Sequence, residues 1–352
     1  MKDLTNVDKN FKLKTEIDKK DIVFYDTLNP PFEINGLIYE NGKFRRMPEE
    51  AAKSVTESVH ILHAHTAGGR VRFKTNSPYI AINAEMGYLH KMSRFAMTGS
   101  LGFDMYIKYG DEERYCKTFI PPFAIVDGYT SIIELETKED REITINFPLY
   151  SEVCKLYIGV SEDAYIDAPS KLTISKPIVF YGSSITQGCS ASRPGCSYES
   201  IIARRFNCDY INLGFSGSAG AEKEIADYIK KLDMSMFVYD YDHNAPSVQF
   251  LIDTHERMFN IIREENPDLP IVMMSRPKIY LNQTEKERRE VIRTTYEKAI
   301  ANGDKNVYFI PGNELMKYTD NGGTVDNDHP NDLGFASMAK VLGDTIETIL
   351  HK

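Results

Sequence analysis

The sequence predicts an α/β protein with two domains: a jelly-roll-like β-sandwich over residues 1–172, followed by a flavodoxin-like, three-layer domain with a parallel sheet over 173–352. Two observations support this fold class. In the first half, short runs rich in Val, Ile, Tyr and Phe are separated by turn residues. In the second half, such runs alternate with amphipathic helical stretches. A chain of 352 residues is long enough for two separate cores.

The first half reads as a series of strands at near-regular intervals between Asp21 and Ser170. Turn dipeptides such as Asn-Gly at 35–36 and at 41–42 separate them. Many short strands with this spacing are typical of a sandwich or jelly roll. The predicted strands include 37–39, 71–74, 79–83, 103–108, 131–135 and 142–147.

The second half changes to a rhythm of strand, loop and helix. Its apolar runs at 178–180, 209–213, 236–241, 271–275 and 307–310 are candidate strands. Apolar residues recur at steps of three and four between them, which predicts helices at 197–206, 250–262, 291–300 and 333–350. Strands that alternate with helices favour a parallel sheet covered on both faces.

Composition and charge restrict the possible partners. The net charge of −9 argues against binding to nucleic acid or to anionic membranes. It is more compatible with a small neutral substrate. No apolar run approaches the ~20 residues of a membrane span, and the first ten residues do not resemble a secretory leader. We therefore expect a cytoplasmic protein, or a secreted one if a leader has been removed. The oligomeric state stays open.

Metal and disulfide chemistry are not expected. His60, His63 and His65 invite a metal interpretation, because the last two would share a strand face, but their spacing fits no zinc motif. The five cysteines form no close metal-binding pair and are interpreted as reduced thiols. Cys189 and Cys196 could form a redox bridge, although free thiols are the favoured interpretation. No metal and no organic cofactor are predicted.

The segment 177–188, Pro-Ile-Val-Phe-Tyr-Gly-Ser-Ser-Ile-Thr-Gln-Gly, is the strongest candidate for a functional site. Its apolar run predicts a buried strand, and Gly182 allows a tight turn after it. In open α/β sheets, ligands bind at the carboxyl ends of the strands. Ser184 is therefore expected at the edge of the sheet where a substrate would bind.

Three blocks resemble the SGNH/GDSL hydrolase family. Residues 182–186, Gly-Ser-Ser-Ile-Thr, resemble its Gly-Asp-Ser-Leu block, with Ser183 in the position of the Asp. Residues 326–330, Asp-Asn-Asp-His-Pro, resemble its Asp-x-x-His-Pro block. Residues 102–106, Gly-Phe-Asp-Met-Tyr, resemble the Gly-x-Asp-Leu-Tyr motif of a β-sandwich domain that precedes some of these hydrolases. Together the resemblance covers most of the chain.

The resemblance implies a catalytic triad. A serine hydroxyl is a poor nucleophile at neutral pH and needs a base, which in turn needs an orienting partner. Ser184 matches the family's nucleophile, His329 its base and Asp326 the orienting acid. Asp328 adjoins His329 and is the less favoured acid. In the third block, Asp and Tyr could contact substrate or serve only the strand's own packing.

The same resemblance implies donors for the oxyanion that forms during acyl transfer. They are the backbone N–H of Ser184, the N–H of Gly217 within the block 212–218, and the side chain of Asn244, whose loop lacks the family's usual glycine. Gly214 is the alternative glycine. Arg276 follows the fourth predicted strand of the second domain and could either bind substrate or form a structural ion pair.

The function predicted from these residues is a serine esterase that acts through a Ser-His-Asp triad and an acyl-enzyme. The family resemblance points to short acyl groups, acetyl above all, carried by a small molecule or a carbohydrate. Two alternatives stay open. An acyltransferase would keep the same catalytic residues, whereas a non-catalytic carbohydrate-binding protein would place the function in the β-sandwich.

Overall fold

The computed structural model describes residues 17–351, and its first half is the predicted β-sandwich. Residues 1–16 of the predicted first domain lie outside this range, as does residue 352. In chain order, the strands of this half are β1 (Ile22–Asp26), β2 (Glu33–Asn35), β3 (Ile38–Glu40), β4 (Lys43–Arg45), β5 (Arg70–Thr75), β6 (Tyr79–Leu89), β7 (Phe103–Tyr109), β8 (Glu112–Phe119), β9 (Gly128–Glu134), β10 (Arg141–Asn146), β11 (Ser151–Ser161) and β12 (Ile166–Asp167).

Two antiparallel sheets form the sandwich. One has the order β1-β11-β6-β9; the other has the order β12-β5-β10-β7-β8, with β2 also paired to β5. Alternate residues of each strand point into the space between them, as the twofold period of a strand requires. The core therefore contains Ile80 and Ile82 of β6 together with Ile143 and Ile145 of β10, all fully buried.

The second half is the predicted three-layer domain. Its parallel sheet has the order β14-β13-β15-β16-β17, which is the flavodoxin-like order. The elements are β13 (Ile174–Gly182), α4 (Ser184–Gln187), α5 (Tyr198–Phe206), β14 (Cys208–Gly214), α6 (Lys223–Ile229), β15 (Met236–Asp240), α7 (Val248–Glu265), β16 (Ile271–Met274), α8 (Gln283–Ala301), β17 (Val307–Ile310), α9 (Gly312–Leu315) and α10 (Asp332–Leu350). The predicted fold class is confirmed.

The two faces of this sheet are covered by different helices. Ile178 and Phe180 of β13 pack against α5 and α10, whereas Val179 and Tyr181 pack in the layer that holds α6, α7 and α8. Asn331 caps the last helix, because its side chain accepts the N–H groups of residues 333 and 334. Strands β14, β13 and β15 are neighbours, so their carboxyl ends meet at one edge.

Within residues 17–172, three helices lie where the sequence predicts only strands and turns: α1 (Glu49–Val55), α2 (Glu57–Leu62) and α3 (Met97–Ser100). Ala52 of α1 and Val59 of α2 are buried in the same cluster as Val179 of β13. These two helices therefore extend a helical layer of the second half. Their residues needed an apolar partner that is distant in sequence, which local patterning could not indicate.

The expectation that His63 and His65 share a strand face is wrong. His63 ends helix α2, where its backbone N–H donates to the Val59 carbonyl, and His65 forms an isolated bridge with Glu152. The described residues contain no group of three or more His, Cys, Asp or Glu side chains placed to hold a metal ion. Among residues 17–351, no helix combines the length and apolarity required to cross a bilayer.

Candidate active site

Ser184 is the first residue of α4, and one residue separates it from the end of β13, an interior strand of the parallel sheet. The hydroxyl of Ser183 accepts the N–H of Ile185 at 3.2 Å and caps this short helix. Serine and aspartate are both good N-cap residues, so Ser183 can replace the family's Asp without loss of the cap. Gly182 is required by close packing, because a Cβ there would lie 2.2 Å from Oδ1 of Asp240.

Ser184, His329 and Asp326 form a continuous hydrogen-bonded chain. Oγ of Ser184 lies 3.0 Å from Nε2 of His329, and Nδ1 of His329 lies 3.0 Å from Oδ2 of Asp326. When Nδ1 carries the proton, its N–H donates a hydrogen bond to the carboxylate. Nε2 is then unprotonated and can accept a hydrogen bond from the serine hydroxyl. Asp328 instead forms an ion pair with Arg276. The structure thus brings together the three residues predicted as the triad.

The carboxylate of Asp326 is well suited to remain ionised. Partial burial acts to raise its pKa, but hydrogen bonds from the backbone N–H of His329, from the Arg94 guanidinium and from the His329 ring outweigh burial. The net effect holds the pKa well below its usual range. An anionic partner on Nδ1 stabilises the imidazolium that forms when His329 takes a proton.

The predicted oxyanion donors lie at the start of α4 and on the turns that follow β14 and β15. The N–H of Ser184 is in the first turn of its helix, where backbone donors have no intrahelical acceptor. Gly217, with φ +68°, is exposed in the turn after β14. The side-chain amide of Asn244, after β15, donates to the carbonyl of Phe215 at 3.1 Å, so the two turns are linked. Their role as oxyanion donors stays a prediction.

Gly214, the alternative glycine, has a different task. Its N–H already donates to Oδ1 of Asn212 at 2.9 Å. A Cβ at this position would lie 2.2 Å from the backbone nitrogen of Gln187. Gly214 therefore lets α4 approach the end of β14, and Gly217 stays the predicted donor.

Arg276 is held by carboxylates on both sides. Its guanidinium pairs with Asp328 and with Glu285, the latter at 3.2 Å, and its backbone N–H donates to Asp242 at 3.1 Å. The structural ion pair considered from the sequence is therefore present. Contact between Arg276 and substrate stays a prediction.

Residues of the first half that the sequence does not indicate form hydrogen bonds with the helix that carries the nucleophile. The Tyr150 hydroxyl donates to the carbonyl of Ser184 at 3.1 Å. The Gln187 amide lies 3.0 Å from Nδ1 of His65 and accepts the N–H of Ser216 at 3.0 Å, which connects α4 to the turn of Gly217. Burial lowers the pKa of His65 to about 3, so its neutral ring accepts from the amide.

Arg46 of the first half fixes the end of β14. It is almost fully buried, and its guanidinium donates to the carbonyls of Asn212 at 3.2 Å, of Gly214 and of Leu62 at 2.5 Å. Burial lowers its pKa to about 9. A guanidinium can serve several acceptors at once because it carries five N–H donors. No local motif signalled the contacts with Asn212 and Gly214, because they join residues 166 and 168 positions apart.

The motif at 102–106 holds the two halves of the chain together. Asp104 is fully buried and accepts the N–H of Gly195 at 2.9 Å and the Arg193 guanidinium at 3.0 Å. The ring of Tyr106 lies under the guanidinium of Arg204, 4.1 Å from the ring centre. Both residues thus bind the region that follows the nucleophile's helix.

Asp240, at the end of β15, predicts a pH dependence of stability. It is buried, its Oδ1 accepts the Thr186 hydroxyl at 2.7 Å, and burial, with a contribution from the charge of Asp242, raises its pKa to about 8. Because the folded state keeps this proton to higher pH than the unfolded state, the stabilisation falls as pH rises from about 4 to about 8.

We expect Asp240→Asn to reduce the decline of the unfolding free energy across that range, as measured by urea denaturation at successive pH values. Asp111→Asn, in an exposed turn, is the matched control. Burial also raises the pKa of Glu199, which is retained in both variants. Some decline of the unfolding free energy with pH therefore remains in both. Equal slopes in Asp240→Asn and the control would show that Asp240 is not protonated in the folded protein.

Each half of the chain matches a protein-family model. A model described as the GDSL-like Lipase/Acylhydrolase family matches residues 175–347. A second model, GxDLY, described as the N-terminus of SGNH-hydrolase-type esterases, matches residues 22–166. No curated protein sequence matches the chain.

Solved structures share the whole architecture. A Bacteroides ovatus protein named as a GDSL-like lipase is 30% identical with a TM-score of 0.85, over 94% of this chain and 98% of its own. The salicylyl-acyltransferase SsfX3 from a tetracycline biosynthetic pathway is 19% identical with a TM-score of 0.75, over 94% and 98%. The acetyl xylan esterase Est2A from the rumen bacterium Butyrivibrio proteoclasticus is 12% identical with a TM-score of 0.59, over 94% and 99%.

The matches to SsfX3 and Est2A, at 19% and 12% identity, indicate a shared fold. The B. ovatus match spans nearly the full length of both chains, and the family models agree with the order of the sequence blocks. The chain belongs to the GDSL-like lipase/acylhydrolase family, the SGNH hydrolases, in the subset that carries the GxDLY N-terminal domain.

Proposed function

We propose that this protein is a serine esterase that hydrolyses short acyl esters, acetyl esters above all, of a carbohydrate or a small molecule. The observation that carries the proposal is the unbroken chain from Oγ of Ser184 through His329 to Asp326, with both hydrogen bonds at 3.0 Å. A nucleophile, a base and an orienting acid in this geometry can perform acyl transfer.

In the proposed mechanism, Oγ of Ser184 attacks the ester carbonyl while Nε2 of His329 takes the hydroxyl proton. The oxyanion is held by the N–H groups of Ser184 and Gly217 and by the Asn244 amide. When the carbonyl reforms, the alcohol leaves with the proton from His329. Water then attacks the acyl-enzyme with His329 again as base, and the acid and free Ser184 are released. Asp326 stays ionised throughout.

An exposed aromatic ring beside the site supports a carbohydrate substrate. Tyr88 is 57% exposed, and its ring lies parallel to that of His65 at a centroid distance of 6.2 Å. His65 in turn contacts Gln187 of the nucleophile's helix. An exposed ring in this position could stack on a sugar. Proteins of the same architecture include Est2A and a family two carbohydrate esterase from Clostridium thermocellum in complex with cellohexaose.

Acyl-chain preference is the direct test. We expect the protein to cleave p-nitrophenyl acetate with a higher kcat/KM than p-nitrophenyl octanoate, and acetylated oligosaccharides to release acetate. Higher activity on the octanoate ester would contradict the short-chain proposal. If folded protein cleaves neither ester and no acetylated sugar, the hydrolase proposal fails and the carbohydrate-binding alternative becomes the better account.

The same assay separates hydrolysis from transfer. Addition of a simple alcohol or a sugar offers the acyl-enzyme a second acceptor. A hydrolase releases mainly free acid, whereas an acyltransferase forms a new ester and turns over slowly in water alone. Product analysis by mass spectrometry distinguishes the two outcomes, although both use the same Ser184.

A further inference from the structure

Arg94 extends from the N-terminal domain to the acid of the proposed triad. It lies in the segment between β6 and α3, and its Nη1 is 2.8 Å from Oδ2 of Asp326. The same oxygen accepts Nδ1 of His329 at 3.0 Å. Arg94 and His329 thus share one carboxylate oxygen across 232 positions of sequence.

The segment that carries Arg94 is firmly docked. Its neighbour Phe95 is 4% exposed and belongs to the core that α5 and α10 also share. The Thr98 hydroxyl donates to the carbonyl of Ser192 at 2.5 Å. A Cβ on Gly99 would lie 2.1 Å from the carbonyl oxygen of Ala191, so two backbones meet there. The Arg94 side chain is itself 55% exposed, but it projects from a fixed backbone.

The two oxygens of Asp326 have separate partners. Oδ1 accepts the backbone N–H groups of Asp328 at 3.1 Å and of His329 at 2.8 Å, which orients the carboxylate from its own loop. Oδ2 accepts two side-chain donors, His329 and Arg94. Arg94 therefore adds a positive charge and a second bond at the oxygen that faces the base.

We propose that Arg94 is a positioning residue supplied by the N-terminal domain, which holds Oδ2 of Asp326 towards His329 and sets the pH at which His329 becomes available as a base. The proposal rests on the proposed function, because it assigns Arg94 a task in that same triad. It also makes the N-terminal domain part of the active site rather than an independent module.

The direction of the effect follows from the charges. A cation beside the carboxylate disfavours the imidazolium, so its removal lets His329 keep its proton to higher pH. The surrounding charged and titratable groups, which remain in place, come from the loops after α4, β15, β16 and α9 and are Cys189, His243, Arg276, Asp326 and Asp328. Because Arg94 is half exposed and screened by salt, the shift is modest, about half a pH unit.

The test compares Arg94→Ala, Arg94→Gln and Arg94→Lys with Arg114→Ala. Arg114 is 67% exposed and pairs with Glu112 at 2.9 Å, so it is a matched surface arginine outside the site. For Arg94→Ala we expect kcat to fall about 3- to 10-fold at neutral pH with KM within about twofold. The acid limb of kcat/KM should move to higher pH by about half a unit.

Charge and geometry can be separated in the same experiment. Arg94→Lys keeps the positive charge but lacks the planar guanidinium group. Its acid limb should therefore lie close to that of the wild type. Arg94→Gln should behave like Arg94→Ala. Added guanidinium ion at low concentration should restore part of the activity of Arg94→Ala but none of that of Ser184→Ala. Melting temperatures within a few degrees of wild type establish that the variants are folded.

Two results would overturn the inference. One is an Arg94→Ala protein whose kcat and acid limb equal those of Arg114→Ala; the other is a downward shift of the acid limb. Failure of the proposed function gives a different pattern, because Ser184→Ala would then retain activity. If Ser184→Ala is inactive and Arg94→Ala is indistinguishable from the control, only the assignment of Arg94 fails.

Discussion

Replacement of Ser184 by alanine is expected to lower kcat for ester hydrolysis by roughly 10⁴-fold or more while the protein remains folded. The hydroxyl oxygen is the attacking atom in the proposed mechanism, and the hydroxyl of the adjacent Ser183 is engaged as the cap of α4. Ser184 is only half buried, and its Oγ bonds to His329 rather than to the core. The change therefore removes chemistry without opening a cavity.

The measurement is kcat and KM for p-nitrophenyl acetate, with Ser54→Ala as the matched control. Ser54 lies on α1, where its hydroxyl donates to the carbonyl of Ala51 at 2.8 Å, away from the triad. Thermal melting should give the same midpoint for the Ser184→Ala and control proteins within a few degrees. Substantial hydrolysis by folded Ser184→Ala would end the proposal that this serine is the nucleophile.

His329→Ala should cause a loss of similar size, about 10⁴-fold in kcat, because Ser184 is then left without a base. The losses from Ser184→Ala and His329→Ala should not add in the double variant, since the two residues act as one unit. His60→Ala is the control, because His60 lies on α2 and pairs with Glu49 at 3.5 Å, outside the site.

The double variant tests whether Ser184 and His329 act as one unit. If Ser184 and His329 act together, kcat of the double variant equals that of either single variant. Multiplicative losses would indicate that the two residues contribute independently, and the hydrogen bond of 3.0 Å between them would not represent a catalytic pair.

The sequence allowed the fold class and the three residues of the hydrogen-bonded chain to be predicted because their signals are local. The apolar run at 178–180 and the turn after it indicate a buried strand that ends in a serine. Asp326 and His329 lie three residues apart on one turn, and the cap of the final helix follows directly. Motifs of this kind keep their spacing in the chain, so they can be recognised without coordinates.

The supporting contacts could not be predicted because they depend on how two domains dock. Arg94, Tyr150 and Arg46 each contact the second half through a single side chain, across 34 to 232 positions of sequence. Nothing in the flanking residues distinguishes them from surface side chains. Helices α1 and α2 were missed for the same reason, since their apolar faces are covered by the other domain.

Departures from the family's usual blocks have physical explanations in this structure. Ser183 replaces an aspartate but still caps α4. Asn244 lacks the usual preceding glycine, yet its side chain reaches the carbonyl of Phe215 and links the turns beside the nucleophile. These substitutions are therefore compatible with an active site, which weakens the case for a non-catalytic binding protein.

Covalent labelling identifies the nucleophile of the protein without a choice of substrate. A fluorophosphonate reacts with a serine that has an adjacent base, and the adduct can be located by peptide mass spectrometry. We expect one adduct, on Ser184, in the wild-type protein, none in Ser184→Ala and very slow labelling in His329→Ala. Folded wild-type protein that stays unlabelled, or that is labelled on another serine, would contradict the assignment of Ser184 as the nucleophile.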